Sequence, residues 1–194
     1  MGYAEQPKEV AENMRRVVRA GAVGINLEDS VREGERLFDI DFQCARIRAV
    51  REMAAQEGVP LYINARTDVF WPRVPGTDAE KFDHAVRRAG AYLDAGADSF
   101  YPIILGDLAT LKRLREAIPA PINVLAPTAR ATLRELEGAG IARVSLGPAL
   151  MWASLSTMRK IALDLQNYGS FDPFTREVIT TDEIRQFVSA ERMR

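Results

Sequence analysis

A sequence motif that recurs three times along the chain, with variations, constrains the fold most strongly. Its copies are RAGAVGINLE, DAGADSFYPI and GAGIARVSLG, which start at residues 19, 94 and 138. Each copy ends a helical pattern with small residues and a glycine, and continues into a short apolar run of strand length. This is the joint between a helix and the next strand in a βα repeat, so the sequence predicts an α/β fold.

Five short apolar runs are predicted to be strands, at residues 22–27, 61–65, 99–104, 122–125 and 143–146. They mostly do not alternate between apolar and polar residues, which is typical of parallel strands covered on both faces. Helical patterns occupy residues 10–18, 42–57, 79–95, 107–117, 128–138 and 148–165, and Thr181 is a candidate N-cap for a terminal helix.

Two architectures fit this alternation, an open doubly wound sheet and a (β/α)₈ barrel. No glycine-rich phosphate loop follows any predicted strand, so nucleotide binding on an open sheet has no support. The chain begins with a helix and has only five predicted strands, so we expect a partial (β/α)₈ TIM barrel at residues 1–168. It would comprise about strands 4–8 with their helices, with the first three strands missing. Residues 169–194 are predicted to form a tail with a short helix, which could pack on a partner subunit.

Composition excludes several classes of function. The net charge is −1, with 26 basic residues scattered among 27 acidic ones, so nothing indicates binding to nucleic acid or to a membrane surface. Cys44 is the single cysteine and His84 the single histidine, which excludes an internal disulfide and a metal site built from several such residues. A metal would have to be held by oxygen atoms. Neither a signal peptide nor a membrane span is recognisable, and we expect a cytoplasmic protein.

The first polar cluster, Asn26-Leu27-Glu28-Asp29-Ser30, lies at the carboxyl end of the first predicted strand. The carboxyl ends of the strands carry the chemistry in barrel enzymes. A Glu and an Asp at a strand end suit Mg²⁺, which commonly binds one or two carboxylates together with water and substrate oxygens. The alternative is that Asp29 or Ser30 caps the next turn or helix.

The second polar cluster, Asn64-Ala65-Arg66-Thr67-Asp68, lies at the carboxyl end of the second predicted strand. A mostly buried arginine needs an anionic partner. For Arg66 this partner is either a substrate carboxylate or phosphoryl group, or a carboxylate of the protein, Asp68 or Glu28.

These two clusters carry a family resemblance. GAVGINLEDS and PLYINARTDVF, followed by YLDAGADSFYP, PINVLAP and RVSLGPAL, resemble the isocitrate lyase and phosphoenolpyruvate mutase superfamily from residue 2 to about residue 165. The resemblance implies a Mg²⁺-dependent lyase or phosphonomutase that acts on a 2-oxo acid or its enolate. Such an enzyme cleaves or forms a carbon–carbon or carbon–phosphorus bond next to the carboxylate. It also implies a homo-oligomer.

The resemblance also implies residue roles. Glu28 would be the acidic residue of the metal site, acting through water, and Arg66 would face the substrate oxygens. Asn123 is similar to an asparagine of the seventh strand that contacts the substrate. The candidate catalytic residues are therefore Arg66, Asn64 and Asn123, the substrate-binding residues Arg66 and Asn123, and the metal ligands Glu28 and Asp29.

The chain also departs from the family pattern. Of the aspartate-rich segment that supplies further metal ligands at the third strand, only Gly2-Tyr3 remains. The lyases carry a catalytic cysteine in a K-[KR]-C-G-H loop, whereas here Cys44 lies on a helical pattern and is predicted to be a core residue. These departures favour a phosphonomutase-like or oxaloacetate-hydrolase-like activity over isocitrate or methylisocitrate lyase. They leave open a second hypothesis, an inactive truncated relic or a fragment that needs another polypeptide to complete the barrel.

Overall fold

The computed structural model describes residues 2–31, 36–176 and 178–191. The chain divides into two compact units, Met1–Gly147 and Pro148–Arg194. The sequence placed the boundary later, after residue 168. The long helix of residues 149–166, which begins the second unit, has no buried residue.

The first unit alternates strands and helices in the predicted order. Its helices are α1 (Pro7–Arg19), α2 (Ile40–Gln56), α3 (Asp78–Asp94), α4 (Leu108–Ala117) and α5 (Leu133–Gly138). Its strands are β1 (Gly24–Glu28), β2 (Ser30–Val31), β3 (Arg36–Leu37), β4 (Tyr62–Thr67), β5 (Ser99–Pro102), β6 (Asn123–Leu125) and β7 (Arg143–Ser145).

The long-range pairing is parallel, which confirms the predicted α/β class. Strands β1, β4 and β5 form one sheet in that order, and β6 pairs with β7 in a second. A parallel bridge between Phe100 and Ile122 links β5 to the start of β6. The spatial order of the five predicted strands is therefore their order along the chain. The antiparallel pair β2–β3 was not predicted, because it has only two residues in each strand.

Successive residues of the strands point to opposite faces, and the two faces differ in chemistry. One face packs against the helices and is apolar. Its buried residues include Leu27, Ile63, Ala65, Phe100, Ile122 and Val124, and they belong to one core cluster with residues of α1 to α5. The opposite face carries asparagine and serine side chains. This division of each strand into an apolar and a polar face determines where the candidate site lies.

Local sequence explains where the helices begin. Thr77 with Glu80 forms a capping box at α3, and Thr132 with Glu135 forms another at α5. Helix α5 thus starts at residue 133 and not at residue 128 as predicted, because residues before Thr132 form turns. At α4, Asp107 accepts a hydrogen bond from the backbone of Thr110.

The second unit contains α6 (Ala149–Gln166), a 3₁₀ turn (Asp172–Phe174) and α7 (Thr181–Glu191). The predicted cap of the last helix is wrong by one residue. The hydroxyl of Thr180 accepts from the backbone N–H of Glu183, and the Glu183 carboxylate accepts from the N–H of Thr180. Across the described ranges, no helix is both long and apolar enough to cross a membrane.

Candidate active site

The polar face of the strands forms a hydrogen-bonded layer. The Asn64 side-chain amide donates to Oδ1 of Asn26 over 2.8 Å, and the Ser99 hydroxyl donates to Oδ1 of Asn64 over 2.7 Å. Farther along, the Ser145 hydroxyl donates to Oδ1 of Asn123 over 2.9 Å. Apolar residues are the usual filling of a packed interior, so a layer of amides and hydroxyls requires an explanation other than packing.

The Asn123 side chain has an unsatisfied donor. It is 1% exposed, and within the described residues its Nδ2 has no hydrogen-bond partner, while its Oδ1 is satisfied by Ser145. Leaving such a group unpaired costs about 1–3 kcal/mol. Asn123 lines a cavity of about 600 Å³ together with Asn26, Asn64 and Ser99. Asn123 therefore combines a place in the lining of this cavity with a buried N–H that has no partner among the described residues.

Glu28 and Arg66 lie next to each other at the carboxyl ends of β1 and β4. They are directly paired in the parallel register, two residues beyond the Asn26–Asn64 pair and on the same face of the sheet. Burial lowers the pKa of Arg66, but the hydrogen bonds and charge of Asp68, together with the charge of Glu28, raise it above its ordinary value. The structure thus brings together the carboxylate and the guanidinium that the sequence singled out.

Arg66 forms an ion pair with Asp68. Its Nε donates to Oδ1 of Asp68 over 2.6 Å and its Nη2 donates to Oδ2 over 3.1 Å. Asp68 is fully buried and also accepts from the Ser30 hydroxyl over 2.5 Å. The Arg66 side chain remains 22% exposed. Asp68 therefore fixes the orientation of a guanidinium that still reaches solvent, and the internal partner considered for Arg66 is present.

Asp29 directly follows β1, and its carboxylate lies in a closed hydrogen-bond network on the helix side. Its Oδ1 accepts from the Asp68 backbone N–H over 2.9 Å. Its Oδ2 accepts from Nη1 of Arg88 over 3.0 Å and from the Tyr92 hydroxyl over 2.8 Å. Burial raises the pKa of the Asp29 carboxyl, whereas the charge of Arg88 and the N–H of Asp68 act in the opposite direction. Both carboxylate oxygens of Asp29 thus have hydrogen-bond partners within the protein, and its role as a metal ligand stays a prediction.

Three buried residues that hold the strand ends in place were not predicted from the sequence. Arg88 and Tyr92 lie one turn apart on the buried face of α3, and Arg46 is fully buried in α2. Arg46 donates to the backbone carbonyls of Glu28 and Ala4 over 3.1 and 3.2 Å, which ties down the end of β1. An arginine on the apolar face of a helix was the available signal, since a buried guanidinium requires acceptors.

The oxygen ligands that the described residues offer decide whether they could hold Mg²⁺ by themselves. Among the residues that the structure describes, no group of three or more His, Cys, Asp or Glu side chains could hold a metal ion. Asp29 and Asp68 each already bind an arginine. Mg²⁺ demands six oxygen ligands in near-octahedral geometry. The described residues therefore do not form a magnesium site by themselves, and Glu28 is the one predicted ligand on the polar face.

Comparison with known proteins identifies the family. Residues 1–166 match the family model described as phosphoenolpyruvate phosphomutase. The chain belongs to this family. The resemblance seen in the strand-end motifs is thereby confirmed.

Individual members of the family align with much of the chain. The 2-methylisocitrate lyase of Escherichia coli (strain K12) is 30% identical over 129 residues, which cover 63% of this chain and 40% of that protein. A candidate phosphonomutase from Burkholderia cenocepacia J2315 is 40% identical in its crystal structure, with a TM-score of 0.77, covering 83% of this chain and 67% of that one.

A more distant structural neighbour carries ligands. Phosphonopyruvate hydrolase in complex with oxalate and Mg²⁺ has a TM-score of 0.75 and 22% identity, and covers 100% of this chain and 68% of that one. At this identity the likeness concerns the fold. The chain spans about half the length of the curated relatives that it matches.

Proposed function

We propose that this chain provides the substrate-facing half of a (β/α)₈-barrel enzyme that acts on a small 2-oxo acid or its enolate. In this proposal β1, β4, β5, β6 and β7 are strands 4 to 8 of the barrel. The reaction would cleave or form a carbon–carbon or carbon–phosphorus bond next to the carboxylate. The observation that carries the proposal is the pairing of Glu28 with Arg66 at the strand ends, beside the layer that contains Asn123. The family match supports the reaction class.

Arg66 is proposed to stabilise negative charge on the substrate. Breaking a bond next to a 2-oxo acid leaves an enolate, and a guanidinium held in place stabilises that charge without reorganising. Asp68 holds Nε and Nη2 of Arg66, and the exposed part of the side chain is then directed at the substrate oxygens.

Asn123 and Asn64 are proposed to act differently. The unpaired Nδ2 of Asn123 can donate to a substrate carboxylate oxygen, which would satisfy a group that is otherwise buried at a cost. Asn64 already uses its amide on Asn26 and Ser99, so we assign it a positioning role in place of the predicted catalytic one.

Mg²⁺, when bound in such an enzyme, neutralises the oxygens of the 2-oxo acid. Glu28 is the carboxylate of this chain proposed to face the ion through water. The other ligands must come from the substrate, from water or from residues outside the described set. The contribution of this chain is therefore to bind and orient the acid.

The test combines binding and turnover. Oxalate binding with and without Mg²⁺ is measured by calorimetry, and turnover is assayed on oxaloacetate, phosphonopyruvate and 2-methylisocitrate. Arg66→Ala and Asn123→Ala are expected to weaken oxalate binding at least tenfold, while Arg87→Ala, a change at an exposed arginine of α3, leaves it unchanged. Equal oxalate affinity in the wild type and Arg66→Ala would refute the proposed role of this residue.

A second candidate is a chain that is inactive alone and completes its site with another polypeptide. The incomplete donor set for Mg²⁺ and the position of β1 at the end of its sheet favour it. Turnover that requires Glu28 and Arg66 in the purified chain would reject this candidate. Oxalate binding without turnover on any of the three substrates would support it.

The expected homo-oligomer is also a proposal. Large apolar side chains of the second unit are exposed, among them Trp152 at 58% and Phe187 at 65%. Contiguous exposed apolar surface is typical of protein interfaces. Light scattering coupled to gel filtration tests this, and a monomer at micromolar concentration would contradict it.

A further inference from the structure

We propose that Arg88 and Tyr92 of α3 are positioning residues for Arg66, acting through the carboxylates of Asp29 and Asp68. The inference rests on the proposed function of Arg66 as the group that meets the substrate charge. It adds two residues that lie behind the sheet, on the helix side, to the machinery of the polar face.

The first link joins α3 to the end of β1. Oδ2 of Asp29 accepts from Nη1 of Arg88 and from the Tyr92 hydroxyl, over 3.0 and 2.8 Å. Nη1 of Arg88 also donates to the Tyr92 oxygen over 2.5 Å, and its Nη2 donates to the Phe38 carbonyl over 2.8 Å. Asp29 is fully buried, and Arg88 is 3% exposed. The Asp29 carboxylate is therefore held on one oxygen by two donors from one helix.

The second link joins β1 to β4. The other oxygen of Asp29 accepts from the backbone N–H of Asp68 over 2.9 Å, and the backbone N–H of Asp29 donates to the Arg66 carbonyl over 3.2 Å. Asp29 thus binds the backbone on both sides of Thr67, where β4 ends. This fixes the direction in which the Asp68 side chain leaves the backbone.

The third link joins the backbone to the guanidinium. Asp68 holds Nε and Nη2 of Arg66 in a two-point contact, which sets the plane of the guanidinium as well as its position. Each aspartate has its own arginine, Asp29 with Arg88 and Asp68 with Arg66. Because Arg88 neutralises Asp29, the Asp68 carboxylate does not share Arg66 with a second buried anion.

A purely structural role does not require charges here. Replacing a buried ion pair by apolar residues of similar volume is often neutral or stabilising, so stability alone gives little reason for an Asp29–Arg88 pair inside an apolar core. The need to place Arg66 precisely gives a better reason for the ion pair. A displacement of about 1 Å of a group that positions substrate can lower the rate on the order of 100-fold. The network supplies that precision from a rigid helix.

The experiment measures the environment of the Arg66 guanidinium in the full chain. Arg66 Nε–H is observed by ¹H–¹⁵N NMR and assigned by its loss in Arg66→Lys. The variants Tyr92→Phe and Arg88→Lys keep shape and charge, respectively. The control is Leu114→Ala, which creates a cavity in the core at α4 and lowers the melting temperature without touching the network.

We expect Tyr92→Phe and Arg88→Lys to shift the Arg66 Nε–H resonance, to speed its exchange with water, and to weaken oxalate binding about tenfold. The control should lose stability and keep the wild-type resonance and affinity. Variants of α3 that lose stability but keep the wild-type Arg66 resonance would overturn the inference. The resonance reports on positioning without any turnover, so absence of oxalate binding by the wild type counts against the proposed function alone.

Discussion

Asp29→Asn separates the two roles that can be assigned to this residue. As a metal ligand, Asp29 would affect Mg²⁺ binding and leave the metal-free protein almost as stable as before. As the buried partner of Arg88, it would affect the stability of the metal-free protein. The contacts favour the second role, because both carboxylate oxygens already accept hydrogen bonds from the protein.

The size of the effect follows from burial. The side chains of Asp29 and Arg88 are 0% and 4% exposed and lie 3.0 Å apart. An asparagine that keeps its oxygen on the Asp68 N–H turns its NH₂ group toward two donors, Arg88 and Tyr92. Breaking a buried pair costs about 3–5 kcal/mol, a large share of the roughly 5–15 kcal/mol of a typical domain. The melting temperature should fall by roughly 6–20 °C.

The assay is urea unfolding followed by circular dichroism, in EDTA and in Mg²⁺. Asp94→Asn is the matched control, an exposed aspartate on α3, and should unfold like the wild type. The double variant Asp29→Asn with Arg88→Met should recover part of the loss, because it removes the uncompensated charge. An Asp29→Asn protein as stable as the wild type in EDTA, but with weaker Mg²⁺ binding, would refute this reasoning and restore Asp29 as a metal ligand.

Two further predictions concern titratable groups. Arg19 and Arg15 hold the pKa of Glu57 at about 2, below its ordinary value of 4.5, so this contribution to stability is present above pH 4.5 and is lost as pH falls toward 2. Glu57→Gln should therefore lower the urea midpoint slightly at pH 7, and an undiminished difference from the wild type at pH 2 would contradict the assignment. Burial raises the pKa of the Cys44 thiol, whose Sγ contacts the Ala91 carbonyl, so a thiol reagent at pH 8 should modify it only as fast as the protein unfolds. Rapid labelling of the native chain would contradict this placement.

Much of the fold was predictable because short apolar runs alternate regularly with helical patterns along the chain. All five predicted strands are present, each within a few residues of its expected bounds. The errors fall where local signals compete. At the last helix both Thr180 and Thr181 are plausible caps, and the choice depends on which hydroxyl lies three residues before Glu183. The pair β2–β3 is too short to leave a periodic signal.

The site was predictable only in part, and for a physical reason. Position at a strand end indicated Glu28, Arg66 and Asp29, but alternation along β1 sends neighbouring side chains to opposite faces. Glu28 shares a face with Asn26, whereas Asp29 is the residue after β1, and its contacts with Arg88 and Tyr92 place it on the helix side. The partners of Asp29 could not be predicted, since Arg88 is separated from it by 59 residues.

The charges at the strand ends restrict how a cation could bind there. Asp68 and Asp29, which follow β4 and β1, form ion pairs with Arg66 and Arg88, respectively. A metal ion that bound either carboxylate would leave the corresponding arginine without its anionic partner. For Arg88, which is almost fully buried, the loss would cost several kcal/mol. A cation bound beside Glu28 must therefore take its remaining oxygens from water, from the acid it accompanies, or from residues outside the described set. In the proposed function, Arg66 is therefore the arginine that meets the anionic acid, Arg88 stays with Asp29 behind the sheet, and any magnesium would accompany the acid.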